Sequence, residues 1–376
     1  MRSVYVHSPF CARRCPYCDF AIALLGGGVP PERYVRALEL ELALRGEGLR
    51  PKTLFVGGGT PTALPAPLLG RFLDLLSGAL DLSRLVEWSL EANPEDLVGV
   101  DGAARVDELA RAGVDRVSLG AQSFDPDTLA TLGRAHDAEA IAGAVRRLRA
   151  AGVSAVSIDL IFGAPGQTLD RLDRDVDALL ELAPEHVSTY GLTYEPGTDL
   201  TRARDRGEVD AAPEEHELAL YRRLRDRLVE AGYAHYEVSN FARPGARCRH
   251  NLAYWRNRPH AAFGPGAAGF AGGERRRNVR GTAAWCARLE RGEDPVGEVE
   301  RLPPERALRE SVMVGLRLRR GVRLDHLARR HGSLAGLDLA AVERLRRDGL
   351  LDPDPERLRL SDRGLEVADW VTAALL

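Results

Sequence analysis

Cys11, Cys15 and Cys18 form a C-x3-C-x2-C run, with Tyr17 immediately before the last thiol. Three thiolates this close together suit a cubane iron-sulfur cluster, which is held through cysteine sulfur with one protein ligand per iron. The fourth iron is then left open. An open iron is a coordination site for an exchangeable molecule, so the spacing points to chemistry rather than to electron storage or a structural staple. A structural zinc ion normally takes four protein ligands, and here the fourth would have to be His7, Cys248 or Cys286. A disulfide framework fits poorly, because five Cys in 376 residues is an odd, sparse set, whereas small secreted domains are cysteine-dense. A reducing compartment is expected.

The elements that must position these thiols follow from periodicity. From the N-terminus to about Ala231, short β-branched runs alternate with longer amphipathic runs, the order that builds parallel βα units. The predicted strands are Val4 to His7, Thr53 to Val56, Val86 to Glu91, Arg116 to Leu119, Ala155 to Ile161 and His186 to Leu192. Between them, Leu169, Leu172, Val176, Leu179 and Leu180 share one helical stripe; a second stripe after Pro213 carries Leu218, Tyr221, Leu224 and Leu228. Six units fall short of a closed eight-stranded barrel. The expected fold is therefore α/β, an open partial (β/α)6 barrel with a small C-terminal domain.

In such barrels the chemistry sits at the C-terminal ends of the strands. The cysteine run follows the first strand, Gly57-Gly58-Gly59-Thr60-Pro61-Thr62 the second, and Glu91 ends the third. Gln122 follows the fourth, and Asp159 lies near the end of the fifth. A glycine triplet with a threonine can be a plain tight turn, or it can let backbone N–H groups approach a ligand. Glu91 and Asp159 taken singly read as strand-end caps, and Gln122 and Arg134 as surface residues. Gathered on one rim with the cysteines, they suggest a site for a charged, amphoteric small molecule.

Composition agrees with an ordinary soluble chain: 44% hydrophobic, 28% charged, net charge -3. No polyelectrolyte partner is implied. There is no apolar leader before Pro9 and no apolar stretch of membrane-spanning length, so a cytoplasmic location is expected.

His7-Ser8-Pro9-Phe10-Cys11, Cys15-Pro16-Tyr17-Cys18-Asp19-Phe20, Gly57-Gly58-Gly59-Thr60-Pro61, Leu90-Glu91-Ala92-Asn93-Pro94-Glu95, Gly120-Ala121-Gln122-Ser123-Phe124 and Ile158-Asp159-Leu160-Ile161-Phe162-Gly163 are similar to the coproporphyrinogen III oxidase-like (dehydrogenase-like) branch of the radical S-adenosylmethionine (SAM) superfamily. The resemblance runs through nearly the whole chain. It implies a [4Fe-4S] cluster on Cys11, Cys15 and Cys18, with SAM chelating the open iron through its amino and carboxylate groups. It also implies SAM contacts from Tyr5, Gly58, Gly59, Thr60, Glu91, Gln122, Arg134 and Asp159, and an electron donor such as a flavodoxin or ferredoxin. Donors from the glycine turn, carboxylates near an amine and Arg134 near a carboxylate suit those roles chemically.

Two groups of that branch differ near the triad. Oxygen-independent coproporphyrinogen III dehydrogenases typically carry a further Cys two residues after it and a sizeable N-terminal extension. Here that position is Phe20, and ten residues precede Cys11. Both features resemble instead the haem-chaperone group, whose members bind haem and pass it to an acceptor protein, expected to belong to the respiratory chain. His250-Asn251-Leu252-Ala253-Tyr254-Trp255 matches the H-N-x-x-Y-W motif of that group, which implies haem contact at His250. Without the resemblance, the residues read as a buried histidine with a structural aromatic pair. One departure is visible: the glycine-rich segment usually near G-x-G-A-H-S reads Gly264-Pro265-Gly266-Ala267-Ala268-Gly269, with Ala268 in place of the histidine. His250 or His260 would have to compensate.

The chain is expected to divide into residues 1–235, carrying the barrel, cluster and SAM site; 236–302, a connecting region with the H-N-x-x-Y-W motif; and 303–376. In the last part, Leu324 to His331 and Leu339 to Arg347 read as helices and Leu350 to Leu360 as a hairpin turning at Asp352-Pro353-Asp354-Pro355, an order that resembles a winged helix. From Arg317 to Arg363 there are twelve arginines against eight acids. That excess is modest beside the basic face of a DNA reader, so covering the barrel or docking a protein is expected rather than nucleic-acid binding.

Overall fold

The structure, a computed structural model, describes residues 2–376. All six predicted strands are present: β1 (Ser3–Ser8), β2 (Thr53–Gly58), β3 (Glu87–Ala92), β4 (Arg116–Gln122), β5 (Ala155–Phe162) and β6 (His186–Gly191). They pair in parallel and in chain order. Successive side chains alternate between the two faces of such a sheet. Val4, Val6, Leu54, Val56, Leu90, Val117, Leu119, Val156 and Ile158 are fully buried in the core, beneath the outer helices. The residues between them, including Tyr5, Phe55, Ser89, Glu91, Ser118 and Asp159, line cavities within the barrel. The barrel interior is thus polar, unlike the packed apolar layers of a closed eight-stranded barrel.

The outer helices are amphipathic as their spacing requires. In the helix Leu169–Leu182, Leu172, Val176 and Leu179 are buried, and the Thr168 hydroxyl caps the start by accepting from the Arg171 amide at 3.3 Å. The Pro213 stripe becomes the helix Glu214–Glu230, burying Leu220, Leu224 and Leu228.

The region expected to be a connection does more than connect. It adds a hairpin, β7 (Ala234–Glu237) and β8 (Asn240–Ala242), antiparallel to β6, and a further parallel strand, β9 (Ala261–Phe263), beside β1. The nine strands lie in the order β9-β1-β2-β3-β4-β5-β6-β8-β7, an open sheet. The barrel core correspondingly extends through Tyr233, Phe241, Phe263 and Trp285 to Leu289. A three-stranded antiparallel sheet, β10 (Ala268–Ala271), β11 (Glu274–Asn278) and β12 (Val296–Arg301), follows.

From Pro304 a second core forms around Leu308, Val312, Leu327, Leu345, Leu358 and Leu375. The helices Leu324–His331 and Leu339–Arg347 fall where their sequence places them. Leu351 and Leu360 bridge across the predicted hairpin, while Val322–Arg323 pairs with Arg357–Leu358. No helix among the described residues is long and apolar enough to cross a membrane.

Candidate cluster and cofactor site

The three cysteine thiols are free and half-buried, on the loop between β1 and the helix Pro31–Arg45. That loop is tied down at Phe10–Cys11, which pairs with Ala23–Leu24, and by the Cys18 amide donating to the Cys15 carbonyl at 3.2 Å. None of the three conceivable fourth ligands for zinc sits with the triad. His7 uses both ring nitrogens, on the Tyr5 hydroxyl at 3.0 Å and the Ala21 carbonyl at 2.9 Å. Cys248 lies beside Glu87, at the start of β3, and Cys286 is packed in the barrel core.

A cavity of 460 Å³ opens beside the thiols at the C-terminal ends of the strands. Cys11, Cys15, Cys18, Gly58, Gly59, Thr60, Glu91, Gln122, Arg134 and Asp159 all line it. Of the sequence-predicted SAM contacts, only Tyr5 stands off, in a smaller chamber below, which Glu91 and Asp159 also line. Its place in the ladder explains that depth: Tyr5 pairs with Phe55, three residues short of the end of β1.

Each rim residue is held by a specific local arrangement. A Cβ on Gly57 would fall 2.5 Å from the Glu91 carboxyl carbon, and one on Gly58 2.2 Å from the His7 ring. The glycine triplet is therefore needed first for close packing of strand ends. Gly58 also adopts φ 111°, a region that favours glycine, and donates its amide to Glu91 at 2.8 Å. Gln122 has φ 69° at an irregularity in the β4–β5 register, where the ladder slips between Leu119 and Gln122. Such a slip re-aims a side chain, and left-handed backbone at a non-glycine residue is held only where the surroundings enforce it. Asp159 accepts from the Ser118 hydroxyl at 3.0 Å and from Ser157 at 3.3 Å.

Arg134 reaches across the mouth to the triad. One guanidinium nitrogen lies 3.3 Å from Cys15 Sγ, and another donates to Asn93 Oδ1 at 2.5 Å and to the Gly120 carbonyl at 2.9 Å. Asn93 in turn donates to the Thr60 hydroxyl at 3.0 Å. Glu95, also on the cavity, accepts from His136 at 2.9 Å. Asn93 and Glu95 were legible inside the Leu90–Glu95 motif but went without a role. Tyr190, one residue before the end of β6, carries no motif that would single it out in the sequence. It is 43% exposed and lines both the main cavity and the chamber below.

The electrostatics fit a cationic inorganic core and an amphoteric ligand. Burial pushes the Cys11 thiol up to about 11 and raises Cys18 as well. Thiols held neutral by burial are poor free nucleophiles, and they would be deprotonated on binding a metal. Burial also lifts Glu91 to about 7, against the Gly58 amide and with help from Asp159, which burial raises in turn. Two buried carboxyls whose ionisation is opposed are what a ligand ammonium would relieve.

The opposite mouth is closed by the connecting region. The helix Arg249–Trp255 points its N-terminus at Glu87, whose carboxylate accepts from the Arg249 and His250 amides, each at 2.8 Å. His250 is 1% exposed and engages Thr53 Oγ1 through Nδ1 and Tyr254 OH through Nε2, both at 3.0 Å. Burial holds its pKa down at about 3. The sequence-predicted haem contact is thus not brought to the rim. His250 occupies the position of a buried structural histidine, its iron-binding lone pair committed to a neighbour. His260, by contrast, stands beside the departing Ala268, with Nε2 3.2 Å from the Ala268 carbonyl.

Comparison with known proteins agrees with this site. The radical SAM superfamily profile matches residues 5–179, and the HemN C-terminal domain profile matches 302–367. The chain is 41% identical to the heme chaperone HemW of Mycobacterium tuberculosis over 99% of its own length and 94% of that protein. It is 35% identical to heme chaperone HemW of Bacillus subtilis, over 100% and 99%. The chain belongs to the HemW family of the radical SAM superfamily. The fold is also that of coproporphyrinogen III oxidase HemN from Escherichia coli, with a TM-score of 0.85 at 22% identity, covering 99% of this chain and 89% of that one. As a radical SAM protein of the HemW family, the chain carries a [4Fe-4S] cluster and SAM, and the half-buried triad, the carboxyl pair and Arg134 fit both groups chemically.

Proposed function

We propose that this protein binds haem and passes it to an acceptor protein. Its family supplies a [4Fe-4S] cluster and SAM, held on Cys11, Cys15 and Cys18 and on the rim around them. The observation that carries the reading is the full-length similarity to proteins named heme chaperone HemW. Phe20 supports it: the position that holds a further cysteine in the dehydrogenase group is an apolar side chain, 59% exposed at the cavity mouth. Gly58, Gly59, Thr60, Gln122 and Arg134 would hold the SAM carboxylate and ribose side, and Glu91 and Asp159 its amine. Tyr5 would act from below, by fixing His7.

When bound, the cluster and SAM supply one-electron reductive chemistry at the open iron. The chain's own part is to place Arg134 against Cys15, to keep Glu91 and Asp159 away from bulk water, and to present an apolar mouth at Phe20, Ile22, Ile161 and Leu192. An electron donor such as a flavodoxin or ferredoxin, a respiratory-chain acceptor and a cytoplasmic location complete the reading. So does a division of labour in which residues 1–235 hold the cofactors, 236–302 close the barrel and 303–376 cover it or dock a protein.

The test is anaerobic reconstitution followed, on one sample, by haem titration and a coproporphyrinogen III turnover assay with SAM and reductant. Stoichiometric haem binding and transfer to an apo-acceptor, without turnover, is expected. Turnover to protoporphyrinogen without stable haem binding would overturn the chaperone reading in favour of an oxygen-independent coproporphyrinogen III dehydrogenase.

A further inference from the structure

The face beneath the plugged end of the barrel carries a concentration of arginines that nothing in the chain neutralises. Three segments are stitched together there. The Val238 amide donates to the Arg317 carbonyl at 2.9 Å, the Arg319 amide donates to the Tyr236 carbonyl at 3.1 Å, and Glu237 bridges to Leu318. The Cys248 amide donates to the Tyr236 hydroxyl at 3.3 Å. These links bring Arg247, Arg256, Arg258 and Arg320 onto one surface, and among the described residues none of the four has a carboxylate within 4.0 Å. Other surface arginines do have such partners, for example Arg202 with Asp199, Arg206 with Glu208 and Arg291 with Glu293; what sets these four apart is that they are gathered on one face without one. The whole chain is acidic, with net charge -3, so the patch does not reflect a generally basic protein.

The main chain that carries the patch is also held in place, and one side chain is stacked. Arg247 stacks on Tyr236 with 5.6 Å to the ring centre. Arg330 donates to the Arg256 and Asn257 carbonyls at 3.2 and 2.6 Å, and Arg357 to the Arg320 carbonyl at 3.1 Å. Arg256 and Arg320 are each kept below their ordinary pKa, by burial first and then by the field of Arg320 on Arg256 and of Arg357 on Arg320, with Arg247 and Arg258 contributing to both. Like charges gathered without counter-charge are unfavourable in the free protein, and an anionic partner relieves that.

We propose that this arginine face docks a carboxylate-rich surface of another protein. Planar guanidinium groups match carboxylates in pairs, and one already stacked, as Arg247 is on Tyr236, loses less freedom on binding. A lipid surface is the poorer fit: adsorption to membranes combines cations with inserted apolar side chains, and no large hydrophobic residue is exposed between Arg243 and Pro259 or between Arg317 and Arg323. A single-stranded nucleic acid would want exposed aromatic platforms, and Trp255 and Tyr254 are half-buried instead. The inference does not depend on haem binding.

The probe is a fluorescent polyglutamate of about 20 residues, followed by anisotropy at low and high salt, the condition that separates exposed-charge attraction from other contacts. Two variants are compared: Arg247→Glu/Arg258→Glu/Arg320→Glu on the patch, and Arg202→Glu/Arg206→Glu/Arg291→Glu with the same charge change elsewhere. All six side chains lie on the surface, and circular dichroism checks folding. Salt-sensitive binding, weakened at least about tenfold by the patch variant and less than about twofold by the control, supports the proposal. Absence of binding, or equal loss in both variants, overturns it. Phosphatidylglycerol vesicles and a poly-U oligonucleotide form the other arms; if the patch variant abolishes either of those but leaves polyglutamate binding intact, the surface belongs to a membrane or a nucleic acid and the proposal fails.

Discussion

The two mouths of the barrel are built from the same six strands and treat polar groups in opposite ways. At the N-terminal ends, Thr53, Glu87 and His186 are buried, and each is bonded to a group from residues 236–254: His250, the Arg249 and His250 amides, and Tyr236. At the C-terminal ends, Glu91, Asp159, Gln122 and the three thiols face a cavity. Glu91 and Asp159 are also bonded within the protein, to the Gly58 amide and to Ser118, but they border the larger cavity beside the thiols, where a ligand can reach them. The contrast separates two histidine-and-cysteine constellations that look equally chemical in one dimension: the triad around Cys11, and Cys248 with His250.

Four changes break or sharpen that contrast, in order of expected size. Cys15→Ala should abolish the cluster: after anaerobic reconstitution, iron content and the visible absorption band fall to background, with the far-ultraviolet circular dichroism unchanged. His250→Ala should do the reverse. It leaves the Thr53 hydroxyl and Tyr254 hydroxyl without a buried partner and opens a void, so stability falls by about 2–4 kcal/mol in urea unfolding while cluster content stays at the wild-type level. Loss of the cluster in that variant would mean that the plug and the rim are not separate.

Glu91 gives a pH test. Its pKa is about 7 in the fold against a usual value of 4.5, so the folded state binds the proton more tightly than the unfolded chain. The contribution is fully present below about pH 4.5 and is lost as pH rises through 7, an effect on the order of 3 kcal/mol at most. In the cofactor-free protein, the difference in unfolding free energy between wild type and Glu91→Gln should therefore move against the wild type from pH 5 to pH 8. A difference that stays flat would place the carboxylate in a wetter site. The smallest effect is expected from Tyr254→Phe, which removes one hydrogen bond to His250 and should cost about 1 kcal/mol without touching iron or SAM binding.

Much of this contrast is legible in the sequence. β1 to β6 announce themselves through β-branched runs, and the rule that barrel chemistry lies at strand C-termini points to nine of the cavity-lining residues, Arg134 coming from the resemblance instead. β9 was not legible, since Ala261-Ala262-Phe263 is too short to show an alternation; it is a strand because the edge of β1 offers it a partner. The hairpin of β7 and β8 was hidden for the same reason. The motif around His250 implies haem contact by resemblance, but its side of the barrel depends on where residues 243–248 carry the chain. Only Glu87, Thr53 and Tyr236, distant in sequence, decide that. Tyr5 shows the limit of strand-end reasoning in the other direction: a residue on the right face of the right strand can still sit one layer too deep.

The central claim is that the triad holds a cluster with one iron open to SAM. Electron paramagnetic resonance of the reconstituted, dithionite-reduced protein, recorded with and without SAM, tests it most directly. The account predicts a [4Fe-4S] signal that shifts on adding SAM in the wild type and in His250→Ala alike; a reduced cluster whose signal is indifferent to SAM would contradict it.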